Sequence, residues 1–356
     1  MQFGIFLPAH IEMWRAFQRA EGAGFSHGWL YDSQMLFADV FSALTLAAEH
    51  TDSMILGPGV TNPGSRVAPL MASSMGTINA IAPGRAVLGI GSGNTTRRAM
   101  GLPPVLVEDF RDYLRVCRAL MAGERVDYHE GARTREIELM DAGDEMFRLD
   151  EPIPVIVSAF GPKTYALAGE LGDGVMIGGQ PDAESIARVR AGLEEGAHAA
   201  GRDPDALEMV LYTSIYVLEE GEGLDSQRLR DVLVPLAAPG VARWAVEGED
   251  ETAMPEAYRG PAAKYRDLHG KIARTTRHLD IYRGYLWRAS PALDALVTED
   301  LLRSTVLIGT ADEVLTRIRE WEALGVTQIG LRAGGGIDTV GEFAERFGAQ
   351  VISRYE

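Results

Sequence analysis

The sequence predicts an α/β protein folded as one (β/α)8 barrel over residues 1–356, with insertions at 125–152, after the fourth strand, and at 225–303, after the seventh. Three observations predict it. Short apolar runs of strand character alternate with stretches of helical spacing. No Pro/Gly/Ser-rich linker divides the chain. Glycine and small polar residues collect in the loops that follow the runs, as on the C-terminal rim of such a barrel. A doubly wound open sheet with a helical second domain is the alternative architecture.

Taken in order, Phe3 to Pro8 is the first strand and Ile11 to Ala23 a helix closed by Gly24. His27 to Asp32 is the second strand, ending on a carboxylate; Ala38 to His50 has the Phe41, Leu44, Ala48 spacing of a helix on a sheet. The third strand starts at Met54 and opens into Gly57-Pro58-Gly59-Val60-Thr61-Asn62-Pro63. Val67 to Ile81 is helical, and the fourth strand, from Arg85, gives way to Gly91-Ser92-Gly93. A βαβ unit has parallel strands, so both glycine loops emerge on one face. Val105 to Met121 is the fourth helix, and 125–152 reads as a β-hairpin-like insertion. Ile153 to Phe160 and Gly174 to Gly179 are the fifth and sixth strands. The fifth helix opens at Gly161-Pro162-Lys163, and the sixth covers Ala183 to Ala199. Glu208 to Val217 is the seventh strand. Residues 225–303 hold helical patches, no strand, and the acidic run Glu247-Gly248-Glu249-Asp250-Glu251, which reads as mobile; an insertion this long serves as a lid or an oligomer contact. Ala311 to Leu324, capped near Thr310, Thr327 to Arg332 and Thr339 to Tyr355 complete the repeat.

Composition narrows the function. A net charge of −17 argues against nucleic acid and anionic membrane as partners, since both need basic surface. The hydrophobic share, 46%, supports an ample core, and no apolar run reaches the length of a membrane span. Met1 to Pro8 lacks a basic leader, so a cytoplasmic protein is expected. The single cysteine, Cys117, falls within an amphipathic helix and reads as a buried structural thiol before a nucleophile. No HExxH, CxxC or Gly-x-Ser-x-Gly pattern occurs, so no metal site is expected. Gly89-Ile90-Gly91-Ser92-Gly93 does not meet the Gly-x-Gly-x-x-Gly spacing of a dinucleotide site.

The rim residues are therefore His10, Asp32, Gly59 to Asn62, Gly91 to Thr95, Ser158 to Lys163, Gly178-Gly179 and Arg332 to Gly336. A rim of glycine and small polar side chains lets backbone N–H groups wrap a large cofactor. The fifth helix adds free N–H groups and a positive dipole end, and Lys163 adds a charge, which suits a phosphate.

Three motifs go further: Gly59-Val60-Thr61-Asn62-Pro63, Gly84 to Gly93, and Gly161 to Gly169 with Asp173-Gly174-Val175. With them the chain resembles, over nearly its whole length, the bacterial-luciferase-like flavin and deazaflavin oxidoreductases, in particular the branch of the coenzyme F420-dependent methylenetetrahydromethanopterin reductases. The resemblance implies hydride transfer between F420 and a small organic substrate (C=C, C=N or carbonyl/alcohol). The alternatives are an FMN-dependent two-component monooxygenase or a non-catalytic flavin-binding protein. It implies a homodimer built through helices of the strand-two to strand-four side, supplied by a flavin reductase or an F420-reducing enzyme. The implied cofactor-binding set is Asp32, Gly59, Val60, Thr61, Asn62, Gly91, Ser92, Gly93, Asn94, Ser158, Ala159, Phe160, Gly161, Pro162, Lys163, Ile177, Gly178 and Gly179. Within it, Asp32 and Gly59-Val60-Thr61 lie beside the ring, Gly91 to Gly93 by the ring or ribityl chain, and Ser158 to Pro162 with Gly178-Gly179 at the phosphate.

One departure matters. The F420-dependent glucose-6-phosphate dehydrogenases of this family carry a His and a Glu where this chain has Ser33 and Asn94, which puts sugar-phosphate oxidation in doubt. Asp32 and His10 are left as the titratable catalytic candidates, with Trp14 and Phe37 as candidate walls of a substrate pocket. The resemblance also implies a cis Gly59–Val60 peptide at the ring; Gly59→Val is expected to weaken cofactor binding while the barrel stays folded.

Overall fold

The computed structural model describes residues 1–140, 147–247, 254–270, 275–282, 284–288 and 291–355. Its main sheet has eight strands: β1 (Gln2–Pro8), β2 (His27–Tyr31), β3 (Ile55–Pro58), β4 (Leu88–Ile90), β5 (Val155–Ser158), β6 (Gly174–Gly178), β7 (Glu208–Thr213) and β8 (Gln328–Arg332). All neighbours are parallel, in the order 3-2-1-8-7-6-5-4. The bridges Leu56–Ala86 and Thr61–Ile90 join the two ends and close the barrel, so the open-sheet alternative is excluded.

The connecting helices follow the sequence pattern. Helices α1 (Trp14–Gly22), α2 (Val40–His50), α3 (Ala68–Ile81), α4 (Asn94–Arg98), α5 (Val107–Met121), α6 (Pro162–Leu171) and α7 (Ala183–Ala199) precede the large insertion. Asp39 caps α2, its carboxylate accepting from Ser42 N at 2.8 Å. The later helices α8 (Gln227–Glu247), α9 (Glu256–His269), α10 (Arg277–Ile281), α11 (Pro291–Asp294) and α12 (Glu299–Thr305) lie in that insertion; α13 (Ala311–Ala323) and α14 (Ile337–Gln350) finish the outer ring. Thr310 and Glu313 close α13 with a reciprocal capping box.

Inside the barrel the filling is aromatic. Phe6 stacks on Trp29 at 5.4 Å and meets Tyr212 edge-on at 4.7 Å, while Trp29 Nε1 donates to Gln328 Oε1 at 3.0 Å. These side chains plug the barrel below its C-terminal rim. Cys117 is fully buried against the Ala68 carbonyl, and burial pushes its thiol up, as a structural cysteine requires.

Several expectations are corrected. The run Glu208 to Val217 is two strands: the chain bends at Ser214, and Ile215–Val217 leaves the barrel to pair with Leu307–Gly309, a strand the sequence reading did not assign. A single apolar run conceals such a bend because both halves are buried. Helix α4 occupies residues read as loop, and the last helix ends at Gln350 rather than Tyr355. The hairpin is present as Val126–Glu130 antiparallel to Arg133–Ile137. Beyond its first residue, the acidic run 247–251 lies outside the described residues. No helix among the described residues is long and apolar enough to cross a membrane.

Candidate functional site

The rim carries a cleft of about 770 Å³, open solvent at its mouth included, within the size range of small-molecule sites. The loops after β2, β3, β4 and β5 converge on it, together with Met176, Tyr212 and the insertion residues Tyr285 and Leu286. Of the candidates from sequence, Asp32, Gly59, Val60, Gly91, Ser92, Gly93, Asn94, Ser158 and Phe160 line this cleft. Thr61 and Asn62 stand behind it: both are buried, Thr61 bonding Asp32 and Asn62 bonding Gly64 N. Ala159 and Ile177 are buried barrel residues, whereas Gly161, Pro162, Lys163, Gly178 and Gly179 lie outside the lining on the same rim.

Asp32 is the most constrained group. Its Oδ2 accepts from Thr61 Oγ1 at 2.6 Å, Arg66 Nη1 at 2.7 Å and Ser65 Oγ at 3.4 Å. The second arm of Arg66 reaches Asp39, so one guanidinium ties the end of β2 to the cap of α2. Thr96 Oγ1 donates to the Asp32 carbonyl at 2.6 Å. Burial is the largest influence and holds the Asp32 carboxyl above the usual carboxylate range, against the Arg66 cation 2.7 Å away and the Thr61 hydroxyl, which pull it down. Among the described residues its Oδ1 takes part in no hydrogen bond.

Two glycines define the shape of the cleft floor. A Cβ on Gly91 would sit 3.2 Å from Val60 Cγ2 and 3.3 Å from Ser158 Cβ, so three loops meet closely here and an added side chain would press on both neighbours. The Gly59–Val60 peptide is cis, as the resemblance implied. A Cβ on Gly59, however, would lie 2.6 Å from Phe6 Cε1 and 2.7 Å from Trp29 Cβ, so Gly59 is also a core-packing position. The expectation that Gly59→Val leaves the barrel intact is corrected accordingly: overpacking reaches the plug itself.

On the opposite wall, Tyr212 Oη donates to Tyr31 Oη at 3.3 Å, and the Arg332 guanidinium lies 4.9 Å over the Tyr212 ring, its Nε buried and without a hydrogen-bond partner among the described residues. Burial pushes both phenols up, so both keep their protons at neutral pH. Leu286, on the insertion, has φ +59°, an uncommon conformation for a branched side chain, and brings Tyr285 and itself onto the cleft.

The remaining candidates lie apart. His10 faces a neighbouring cleft, stacked on Trp287 at 5.6 Å, with Nδ1 accepting from Glu12 N at 3.1 Å. Phe37 borders both clefts, whereas Trp14 packs on His50 at 4.0 Å and lines neither. Ser33 bonds Thr96, and Asn94 Oδ1 accepts from Arg98 Nε at 2.6 Å. Sequence reasoning missed Arg66, Tyr31, Tyr212 and Tyr285. Tyr31 had a signal, since it adjoins Asp32 at a strand end; Arg66 and Tyr285 had none, because their roles depend on long-range placement.

The cradle fits a flat, polar-edged cofactor: close-packed backbone at Gly91 and Gly59-Val60, the Asp32 side chain in the lining, and aromatic walls. Comparison with known proteins agrees. The family model described as luciferase-like monooxygenase matches residues 1–328. A 5,10-methylenetetrahydromethanopterin reductase of Methanolobus tindarius is 31% identical over 337 residues, covering 92% of this chain and 93% of that protein. An F420-dependent hydroxymycolic acid dehydrogenase of Mycobacterium tuberculosis is 32% identical over 209 residues, covering 53% and 54%. The solved coenzyme F420-dependent tetrahydromethanopterin reductase of Methanopyrus kandleri superposes with a TM-score of 0.73 at 24% identity, over 100% of this chain and 99% of the other, which shows the shared fold. A family match over more than nine-tenths of the chain, on a closed barrel with its cleft at the expected rim, makes this protein a member of the luciferase-like monooxygenase family.

Proposed function

We propose that this protein is a coenzyme F420-dependent oxidoreductase that moves a hydride between the deazaflavin and a small organic substrate bearing a C=C, C=N or carbonyl/alcohol group. The observation that carries the reading is the Gly91 floor, where Val60, Gly91 and Ser158 meet so closely that an added Cβ would press on both neighbours, in a cleft that the Asp32 carboxylate also lines. When bound, the deazaflavin supplies hydride chemistry without oxygen activation. The chain's own part is orientation and proton movement. Asp32 and Gly59-Val60 would hold the ring edge, with Thr61 bracing Asp32 from behind. Gly91 to Asn94 line its side, and Asn62 supports them from behind. The loop Ser158 to Lys163, with Ile177-Gly178-Gly179, takes the phosphate at the start of α6. Asp32 and His10 remain the titratable candidates, joined by Tyr31, whose oxygen accepts from Tyr212 and whose own proton is available to the cleft.

The insertion acts as a lid through Tyr285 and Leu286. The protein works as a cytoplasmic homodimer, supplied with reduced cofactor by an F420-reducing enzyme or, for FMN, a flavin reductase. Val67, Leu70 and Leu106, more than half exposed at the starts of α3 and α5, give the strand-two to strand-four side the apolar surface such a dimer needs.

Titrating purified protein separately with F420 and FMN, then following oxidation of reduced F420 against a panel of ketones, imines and enones, tests the reading. F420 binding with turnover of one acceptor class is expected. Binding of FMN alone overturns it in favour of a two-component monooxygenase; binding with no turnover across the panel favours a non-catalytic flavin-binding protein.

A further inference from the structure

Three strand ends bring two phenols and a cation together at the cofactor cleft. Tyr31 ends β2, Tyr212 is the last residue but one of β7, and Arg332 ends β8. Both tyrosines line the cleft; their rings meet edge-on at 6.3 Å and their hydroxyls are joined at 3.3 Å. The Arg332 guanidinium stands behind them, 4.9 Å over the Tyr212 ring and outside the lining.

A cation held in a protein interior calls for an anion. Among the described residues Arg332 forms no ion pair, and the groups whose charge would act on it most are Tyr212, Tyr31 and Tyr285. Burial, the largest influence, pushes the Tyr31 and Tyr212 phenols up, and the Arg332 cation pulls both down. A proton leaving either phenol therefore creates the anion that the cation lacks at rest. Such an arrangement stabilises the charge that develops during proton transfer more than the resting state. The other titratable groups on the cleft are Tyr285, from the insertion, and Asp32, whose Oδ2 is already held by Arg66, Thr61 and Ser65. His10 lines the neighbouring cleft instead.

We infer that Tyr31 is the proton donor to the substrate, and that Tyr212 and Arg332 are positioning residues that hold the charge left on its oxygen. The inference rests on the proposed oxidoreductase reading and singles out Tyr31 among its titratable candidates. Hydride addition to one atom of a C=O, C=N or C=C bond moves the electron pair of that bond to the other atom. That atom takes the Tyr31 proton, while the Tyr212 hydroxyl donates to the phenolate that remains. The acceptor thus gains two electrons, which reduced F420 supplies with the hydride, and one proton; solvent returns the proton to Tyr31. Because both phenols are protonated at neutral pH, the pair stands ready to reduce an acceptor.

Fluorine NMR of the cofactor-free full chain, with a difluorotyrosine at position 31, reads this phenol directly. Its titration should move upward by ~1 pH unit or more in Arg332→Gln, and by less in Arg332→Lys. With reduced F420 and an acceptor that the parent chain reduces, cyclohexenone being tried first, Tyr31→Phe should lower kcat by ~100-fold with little change in the acceptor KM. Arg332→Gln should lower kcat by ~10-fold or more and move the alkaline limb of the pH profile upward, and Arg332→Lys should restore most of the rate. If F420 is bound and an acceptor reduced, yet Tyr31→Phe turns over like the parent or Arg332→Gln leaves the titration in place, the inference falls and the oxidoreductase reading stands. If the parent neither binds F420 nor reduces any acceptor, that reading falls and the donor role with it, whatever the titration shows.

Discussion

The two sides of the cofactor cleft are built in opposite ways. On the β2–β3–β4 side, Asp32 and Thr61 are buried, and Arg66 is nearly so; they bond one another, and Asp39, Ser65 and Thr96 brace them. On the β5–β6 side, Phe160 is 69% exposed, Lys163 and Gly179 are exposed, and the N–H groups of Phe160 and Gly161 are held by one hydroxyl, Thr164 Oγ1. A flat ring gains from a wall whose geometry is set before it arrives, because any later ordering subtracts from affinity. A charged tail needs only a solvated anion site, where exposure costs little. On the proposed reading the braced side takes the ring and the open side the charged tail, an assignment that can be attacked from either direction.

The largest expected effect is on the braced side. Arg66→Ala leaves Asp32 buried without its cation, and the side-chain exposures, 13% for Arg66 and 2% for Asp32, leave water little room to compensate. We expect a loss of about 3–5 kcal/mol of stability, read as a lowered Tm and denaturation midpoint. Adding Asp32→Asn to Arg66→Ala should recover part of it. Additive losses in the double variant would show that the pair is not coupled.

Next is acid lability, again carried by the buried side. His27 on β2 is 5% exposed, and burial depresses its pKa to about 4. A depressed folded-state pKa means that the unfolded chain binds the extra proton first. The contribution is therefore complete above the ordinary value near 6.5 and is lost as pH falls toward 4, up to ~3 kcal/mol in all. Denaturant unfolding between pH 7 and 4 should show this slope, and His27→Gln should flatten it. A slope unchanged in the variant would assign the acid sensitivity elsewhere.

Gly91→Val probes the junction of the two sides. Its added atoms would meet Val60 and Ser158 and project toward the cleft. We expect F420 affinity to fall by ~10-fold or more, about 1.4 kcal/mol, with Tm changed much less than in Arg66→Ala. A variant that binds F420 as the parent does would remove Gly91 from the cofactor site.

The smallest effect belongs to the open side. Lys163→Ala should weaken F420 only a few-fold, as surface charges do, and the difference should vanish at high salt. A loss as large as that of Gly91→Val would mean that the loop closes over the ligand and that the two sides are less different than they stand here.

Much of this was legible in the chain itself. Alternating apolar runs specify barrel strands because each must be buried on both faces, and glycine in the loops after them marks where the backbone packs closely at the rim. From that pattern come the barrel, the rim, and Asp32, Gly59-Val60, Gly91 to Asn94, Ser158 and Phe160 as its lining. Local sequence did not determine the partners. Arg66 follows a loop and resembles any surface arginine until α2 brings Asp39 within reach; Tyr285 lies in a long insertion with no strand period to place it; Tyr212 and Tyr31 are 181 positions apart and meet only because the barrel closes. The break at Ser214 was equally hidden, since the strand it frees finds its partner at Leu307–Gly309, far along the chain. Periodicity and turn chemistry are short-range and readable in order. Charge pairing, ring stacking and the junction of two clefts are set by distances that exist only after the barrel has closed.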